Sequence, residues 1–344
     1  MDKIKNLNSY IMKKRILFPT LIIFTLLGII LFNSFVSSKF KSGATYSKQA
    51  KLSVPMMLPK VVKTKEKFYV LSQGNSEGFR RQLNISVNAL PADTQIVIYE
   101  FLPLNAILKK ITDAGFVRSF FGACVIENKL FIAGGFDSKW NPASNLFEYD
   151  FISKKWTSKK SMNISRVNFA LECINGKIYA IGGENTNGSV EIYQPENNQW
   201  ELIKVNFLPN KLEPLKSITS SSVIENKIFL LGKQNSAFKI FAPETGIMTE
   251  GPVAPFSTMY FCSAVSNKKI YIAGGINKNE FDPCVYLFNM VDGSWTNVGK
   301  IPVPRYGSGL LYYNSMLLFL GGSISNPSQP ATPTNEIYIY RPVK

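Results

Sequence analysis

The sequence predicts an all-β fold in which six four-stranded sheets close into a ring. Two observations carry this. One pattern of short β-branched and aromatic runs, bounded by turn residues, recurs down the chain after residue 60. The chain also ends on the third strand of its last unit, EIYIYRP at 336–342, while a strand-like segment, AKLSVPMMLPK at 50–60, precedes the first unit. A single four-stranded unit cannot bury both of its faces, whereas a ring of them can.

The elements follow in chain order. Residues 1–15 form a basic tail with Lys3, Lys5, Lys13, Lys14 and Arg15. Residues 16–36, ILFPTLIIFTLLGIILFNSFV, are an uncharged, largely apolar run of 21 residues, about 30 Å long as a helix and so matched to a bilayer core. It reads as a transmembrane signal anchor, or as a signal peptide cut near Ser38. Either reading places the rest of the chain on the extracytoplasmic side. Residues 37–49 are a linker, and the ring occupies 50–344.

Second strands are expected near 67–73, 129–135, 177–183, 227–233, 269–275 and 316–322, which counts six blades. Tight hairpin turns are expected at Asn128–Lys129, Asn175–Gly176 and Asn267–Lys268, where Asn and Gly tolerate positive φ. The segment 50–60 has the form of SWTNVGKIPVPR at 294–305, an outer strand, and is expected to complete the last blade. Such closure removes unpaired sheet edges.

Diglycines stand at Gly134–Gly135, Gly182–Gly183, Gly274–Gly275 and Gly321–Gly322, and Tyr149–Trp156, Tyr193–Trp200 and Phe288–Trp295 each lie seven residues apart. In these features the unit resembles the kelch repeat over roughly residues 50–344. The resemblance implies a six-bladed kelch-type β-propeller preceded by the N-terminal transmembrane helix. No helix follows the diglycine, so it is not a phosphate loop.

Composition excludes several chemistries. The chain of 344 residues has no histidine, so Ser–His and Cys–His nucleophiles and His-ligated zinc or copper are absent. Cys124, Cys173, Cys262 and Cys284 are widely spaced without a CxxC pair, and are expected as small apolar packing residues. No metal or cofactor is expected. The net charge of +16 is diffuse beyond the N-terminus, which suits anionic lipid, glycan or wall polymer better than nucleic acid.

Strand order puts the loop entering each inner strand and the loop after each diglycine on one rim. That rim gathers Arg118, Arg166, Arg305 and Lys216 at equivalent positions, with Trp140 and Glu184 from the second kind of loop. Guanidinium forks suit carboxylates and exposed aromatic faces suit sugar rings, so these six are the candidate ligand-binding residues. The opposing reading is that each arginine bonds carbonyls between blades. The expected function is non-enzymatic recognition of an anionic glycan or a protein partner through the rim. The alternative is a carbohydrate-active enzyme resembling the sialic-acid mutarotases, with Glu184 as a possible base.

Overall fold

The computed structural model describes residues 45–85, 94–208, 217–232, 238–277 and 280–342. The expected anchor at 16–36 and the basic tail lie outside these residues. Among the described residues no helix is long and apolar enough to cross a membrane.

Six antiparallel sheets surround a central channel. Blade 1 uses Lys60–Lys63, Phe68–Leu71, Val97–Leu102 and Ile107–Asp113. Blade 2 uses Gly122–Ile126, Lys129–Ala133, Leu146–Asp150 and Lys155–Lys159, and blade 3 the matching run from Ala170–Ile174 to Gln199–Ile203. Blade 4 (Ile218–Ile224 to Ile247–Glu250) carries a fifth strand, Asn206–Leu208, parallel to its outer edge. Blade 5 runs from Cys262–Ser266 to Ser294–Lys300. The expected second strands all form.

Closure occurs as the repeat arithmetic requires. Thr45–Met56 pairs antiparallel with Thr334–Arg341 and becomes the outer strand of blade 6, beginning earlier than the expected residue 50. Leu52 and Met56 are each 2% exposed, so the strand is part of the core.

Blades pack face to face through alternating apolar side chains, such as Phe131, Ile178 and Ala180 between blades 2 and 3. The repeat tryptophans sit at these seams. Each indole N–H donates to a carbonyl at the outer edge of the preceding blade: Trp156 to Asp113, Trp200 to Lys160, Trp295 to Pro252. Their aromatic partners lie 5.0–5.2 Å away, ring centre to ring centre.

The hairpin turns need positive φ at Asn175 and Gly176 (50° and 74°) and at Asn267 (52°), as expected. In blade 2 the turn is Glu127–Asn128 instead of Asn128–Lys129, because Ile126 pairs with Lys129 and Glu127 takes the left-handed conformation.

Cys262 packs in an apolar cluster as expected, but two of the cysteines depart from that role. Cys124 and Cys173 form a disulfide between the inner strands of blades 2 and 3, with Cα atoms 6.0 Å apart. Cys262 and Cys284 are free, and burial pushes the Cys262 thiol up to about 12. The bridge closes a loop with a sequence separation of 49. Replacing both bridged cysteines by alanine is expected to cost about 2–4 kcal/mol in urea unfolding. Unchanged stability would show that the bridge does not form.

Candidate functional site

The channel widens toward the diglycine side into a cavity of about 390 Å³. Its wall is built from the first residues of all six inner strands. Lys60, Glu172, Ser220, Ser221 and Ser263 supply polar groups, and Phe120, Phe136, Trp140 and Tyr260 ring the mouth.

A repeated backbone device shapes this mouth. Leu58, Phe120, Asn168, Tyr260 and Gly307 stand at equivalent positions, and all have positive φ between 50° and 63°. For bulky side chains this left-handed conformation is uncommon and costs about 1–2 kcal/mol. Hydrogen bonds between blades hold it. The Leu58 N–H donates to Gly307 O (2.6 Å), Gly307 N–H to Tyr260 O (2.7 Å), Ile218 N–H to Asn168 O (2.8 Å) and Asn168 N–H to Phe120 O (3.4 Å). Gln73 completes the junction of blades 1 and 2, accepting from the Phe120 N–H and donating to Leu58 O. Of these, Leu58, Phe120, Asn168 and Tyr260 line the cavity. Sequence reasoning missed this ring; Gly307 at the same offset from Arg305 was its one visible sign.

An insertion in blade 1 adds to the mouth. Helix α1 (Glu77–Gln82) is capped by Ser76, whose hydroxyl accepts from the Phe79 N–H. Phe79 packs on Phe120, and Asn84 O accepts from the Ala331 N–H of blade 6. The insertion therefore ties blade 1 to blades 2 and 6 beside the opening.

The predicted site residues separate into three groups. Trp140 and Glu184 line the cavity. Trp140 is half-buried instead of freely exposed, stacked on Phe136 at 4.1 Å with its ring edge-on to Phe120. Glu184 accepts from Asn168 Nδ2 at 2.8 Å. Lys216 lies outside the described residues.

The arginines do not line the cavity. Arg166 is fully buried, donating to Gly182 O, to Ser189 O and Oγ, and to Glu191 Oε1. Burial lowers its pKa, and the hydrogen bond and charge of Glu191 oppose that. Arg305 is fully buried too, over the Tyr338 ring at 4.1 Å and donating to Gly321 O. Arg118 is half-buried and bonds Val117 O and Asn145 Oδ1.

The arginine side chains thus brace their own blades, while their main chains join blades. Gly74, Gly135 and Gly275 donate their N–H to the carbonyls of Arg118, Arg166 and Arg305 in the next blade. A Cβ at Gly134 would strike Arg166 O at 2.6 Å, which explains the glycine.

Lys60 and Glu172 are the charged pair that sequence reasoning did not single out. They come from blades 1 and 3, so their electrostatic coupling runs past blade 2 across the channel. Enclosure by protein raises the Glu172 carboxyl to about 7, opposed by a 2.6 Å hydrogen bond from Ser221 Oγ and by Lys60. The same enclosure lowers the Lys60 ammonium. Both side chains keep partial contact with solvent through the channel. The Ser220 and Ser263 hydroxyls bond each other across blades 4 and 5. One amine, one carboxyl near neutrality, several hydroxyls and an aromatic mouth can hold a hydroxylated ligand by hydrogen bonds and stacking.

Comparison with known proteins bears on the repeat. The Kelch motif matches residues 118–163, 165–204 and 257–302. Kelch-like protein 15 of Homo sapiens is 26% identical over 230 residues, covering 59% of this chain and 38% of that protein. Alpha-scruin of Limulus polyphemus is 23% identical over 249 residues, covering 64% and 26%. Kelch-like protein 36 of Mus musculus is 42% identical over 93 residues, covering 25% and 15%. The chain therefore spans less than half the length of each of these relatives.

Proposed function

Since the chain belongs to the kelch-repeat family of β-propellers, we propose that it is a non-enzymatic binding module whose recognition site is the aromatic mouth of the central cavity. The ring of left-handed residues is the observation that supports this most. Conformational strain repeated at one rim, directing Leu58, Phe120, Asn168 and Tyr260 toward one opening, fits a built site better than a packing necessity.

The ligand is an anionic glycan or a protein partner. Lys60 supplies the cation inside the cavity, the serines and Gln73 the hydrogen bonds, and Trp140 with Phe136 a stacking platform. The module is extracytoplasmic and held by the apolar run at 16–36. The Cys124–Cys173 bridge supports that compartment, since such bonds persist where the medium is oxidising.

A glycan array probed with the full chain, followed by Trp140→Ala, tests the reading. Loss of that indole is expected to weaken glycan binding by about 1–3 kcal/mol. Because Trp140 is half-buried, Trp140→Phe serves as the control that keeps the packing. Binding that survives Trp140→Ala, or an array without signal beside capture of a protein, excludes the glycan.

One observation favours the second reading, a carbohydrate-active enzyme resembling sialic-acid mutarotase. A carboxyl titrating near 7 inside a hydroxyl-lined cavity could exchange protons with a sugar, and Glu172 meets that description better than Glu184. Glu172→Gln with unchanged ligand binding but lost turnover of a bound sugar would establish it.

A further inference from the structure

The face opposite the cavity has its own character. In every blade the turn joining the first two strands and the turn joining the last two lie at one end, as the pairing of Lys129 with Asp150 and of Asp150 with Lys155 shows for blade 2. The closing strand begins at that same end, because Thr45 pairs with Arg341 and Leu317, next to the turn at Asn314–Ser315, pairs with Tyr340. The chain therefore enters the ring from the underside. Only residues 37–44 separate that entry from the apolar run, a reach of at most about 30 Å when fully extended.

Exposed apolar side chains gather around this entry. Of the ten exposed large hydrophobics among the described residues, Leu102, Leu104 and Ile107 are on blade 1's underside turn, Ile152 on blade 2's and Val291 on blade 5's. Ile152 and Val291 are 75% and 74% exposed at the tips of their hairpins. Blades 5, 1 and 2 follow one another around blade 6, where the tether joins. The same arc carries Lys65, Lys67, Lys154, Lys155, Lys268 and Lys269, all exposed, against the exposed carboxylates Glu66, Glu127 and Asp292. Lys67 pairs with Glu100 and Lys268 with Glu225, which leaves the arc a net excess of cations. On the far side, the matching turns of blades 3 and 4 read PENN at 195–198 and PETG at 243–246. Neither has a large aliphatic side chain.

We propose that the underside arc of blades 5, 6, 1 and 2 docks on an anionic bilayer. The hairpin aliphatics enter the headgroup boundary, and the neighbouring lysines face the lipid phosphates. Docking fixes the ring with its cavity mouth turned away from the membrane. The inference rests on anchoring by residues 16–36; it does not depend on which ligand the cavity takes.

The test uses the full chain in vesicles of phosphatidylcholine with 30% phosphatidylglycerol, compared with neutral detergent micelles. Amide hydrogen exchange at 102–107, 151–154 and 290–293 is expected to slow at least fivefold in the vesicles, and less so at 0.5 M salt. The double variant Ile152→Asp, Val291→Asp should stay in the membrane fraction and lose that protection at all three turns. Equal exchange in vesicles and micelles, with the chain retained through an alkaline wash, overturns docking and leaves the anchor intact. A chain that the alkaline wash releases overturns both.

Discussion

Removing residues 45–56 from the full chain is expected to destabilise the ring by at least 4 kcal/mol and to cause aggregation. The strand pairs along Thr334–Arg341 and buries Leu52 and Met56 to 2% exposure. Burial of two such side chains accounts for about 3–6 kcal/mol before any hydrogen bond is counted. The deletion also uncovers an eight-residue edge, TNEIYIYR, with Ile337, Ile339 and Tyr340 beneath it. A long apolar edge of that kind templates pairing with other chains. Urea unfolding together with light scattering checks this. A deletion protein with the same unfolding midpoint as the intact chain, and no scattering, would show that a three-stranded blade suffices. Leu52→Ala separates packing from closure, since it keeps the strand and should cost about 2–5 kcal/mol without aggregation.

The second large effect is expected at Arg166. Its guanidinium and the Glu191 carboxylate are both fully buried, 3.0 Å apart. Glu191 also accepts from the N–H groups of Asn163 and Ile164 and from Asn163 Nδ2, so it pins the loop that enters blade 3. Arg166→Met strands that carboxylate without its cation and should cost about 3–5 kcal/mol. Arg118→Met, at the equivalent position but half-buried and bonded only to neutral oxygens, should cost about 1 kcal/mol. Adding Glu191→Met to Arg166→Met should recover part of the loss, the remainder belonging to the loop N–H groups left without an acceptor. Equal costs for Arg118 and Arg166 would contradict the burial difference on which this rests.

These two sites show what kind of information the sequence carries. Blade count, strand positions and closure by the N-terminal segment were legible because they are periodic, and the period is set by turns and strand lengths. The direction of the arginine side chains was not. Arg166 turns into its blade toward Glu191 on the third strand. In blade 6 the matching position is Tyr338, over whose ring Arg305 is buried, and in blade 2 it is Phe147, where Arg118 bonds only neutral oxygens and stays nearer the surface. The pairing that decides this lies 25 residues away.

The disulfide escaped for a similar reason. Cysteines separated by one repeat length fall on inner strands of neighbouring blades, a relation visible only once the ring is assumed. Lys60 and Glu172 belong to no motif, and only the closed ring brings blades 1 and 3 within electrostatic reach.

The closing strand also sets the order in which the molecule can be made. Asn335 Nδ2 donates to Leu52 O across 283 residues of sequence, so within the ring the first strand to be synthesised waits for the last. At about 5–20 residues per second that delay is on the order of 15–60 s. During it, blades 1 to 5 can assemble by local contacts, while the edge that will receive Thr45–Met56 does not yet exist. High contact order is thus concentrated in a single seam, and folding should show one slow, late phase tied to blade 6. Joining the two ends of the ring in a circularly permuted chain, with residues 45–56 moved behind residue 342, would make that seam a local hairpin and turn the slowest step of assembly into one of the fastest.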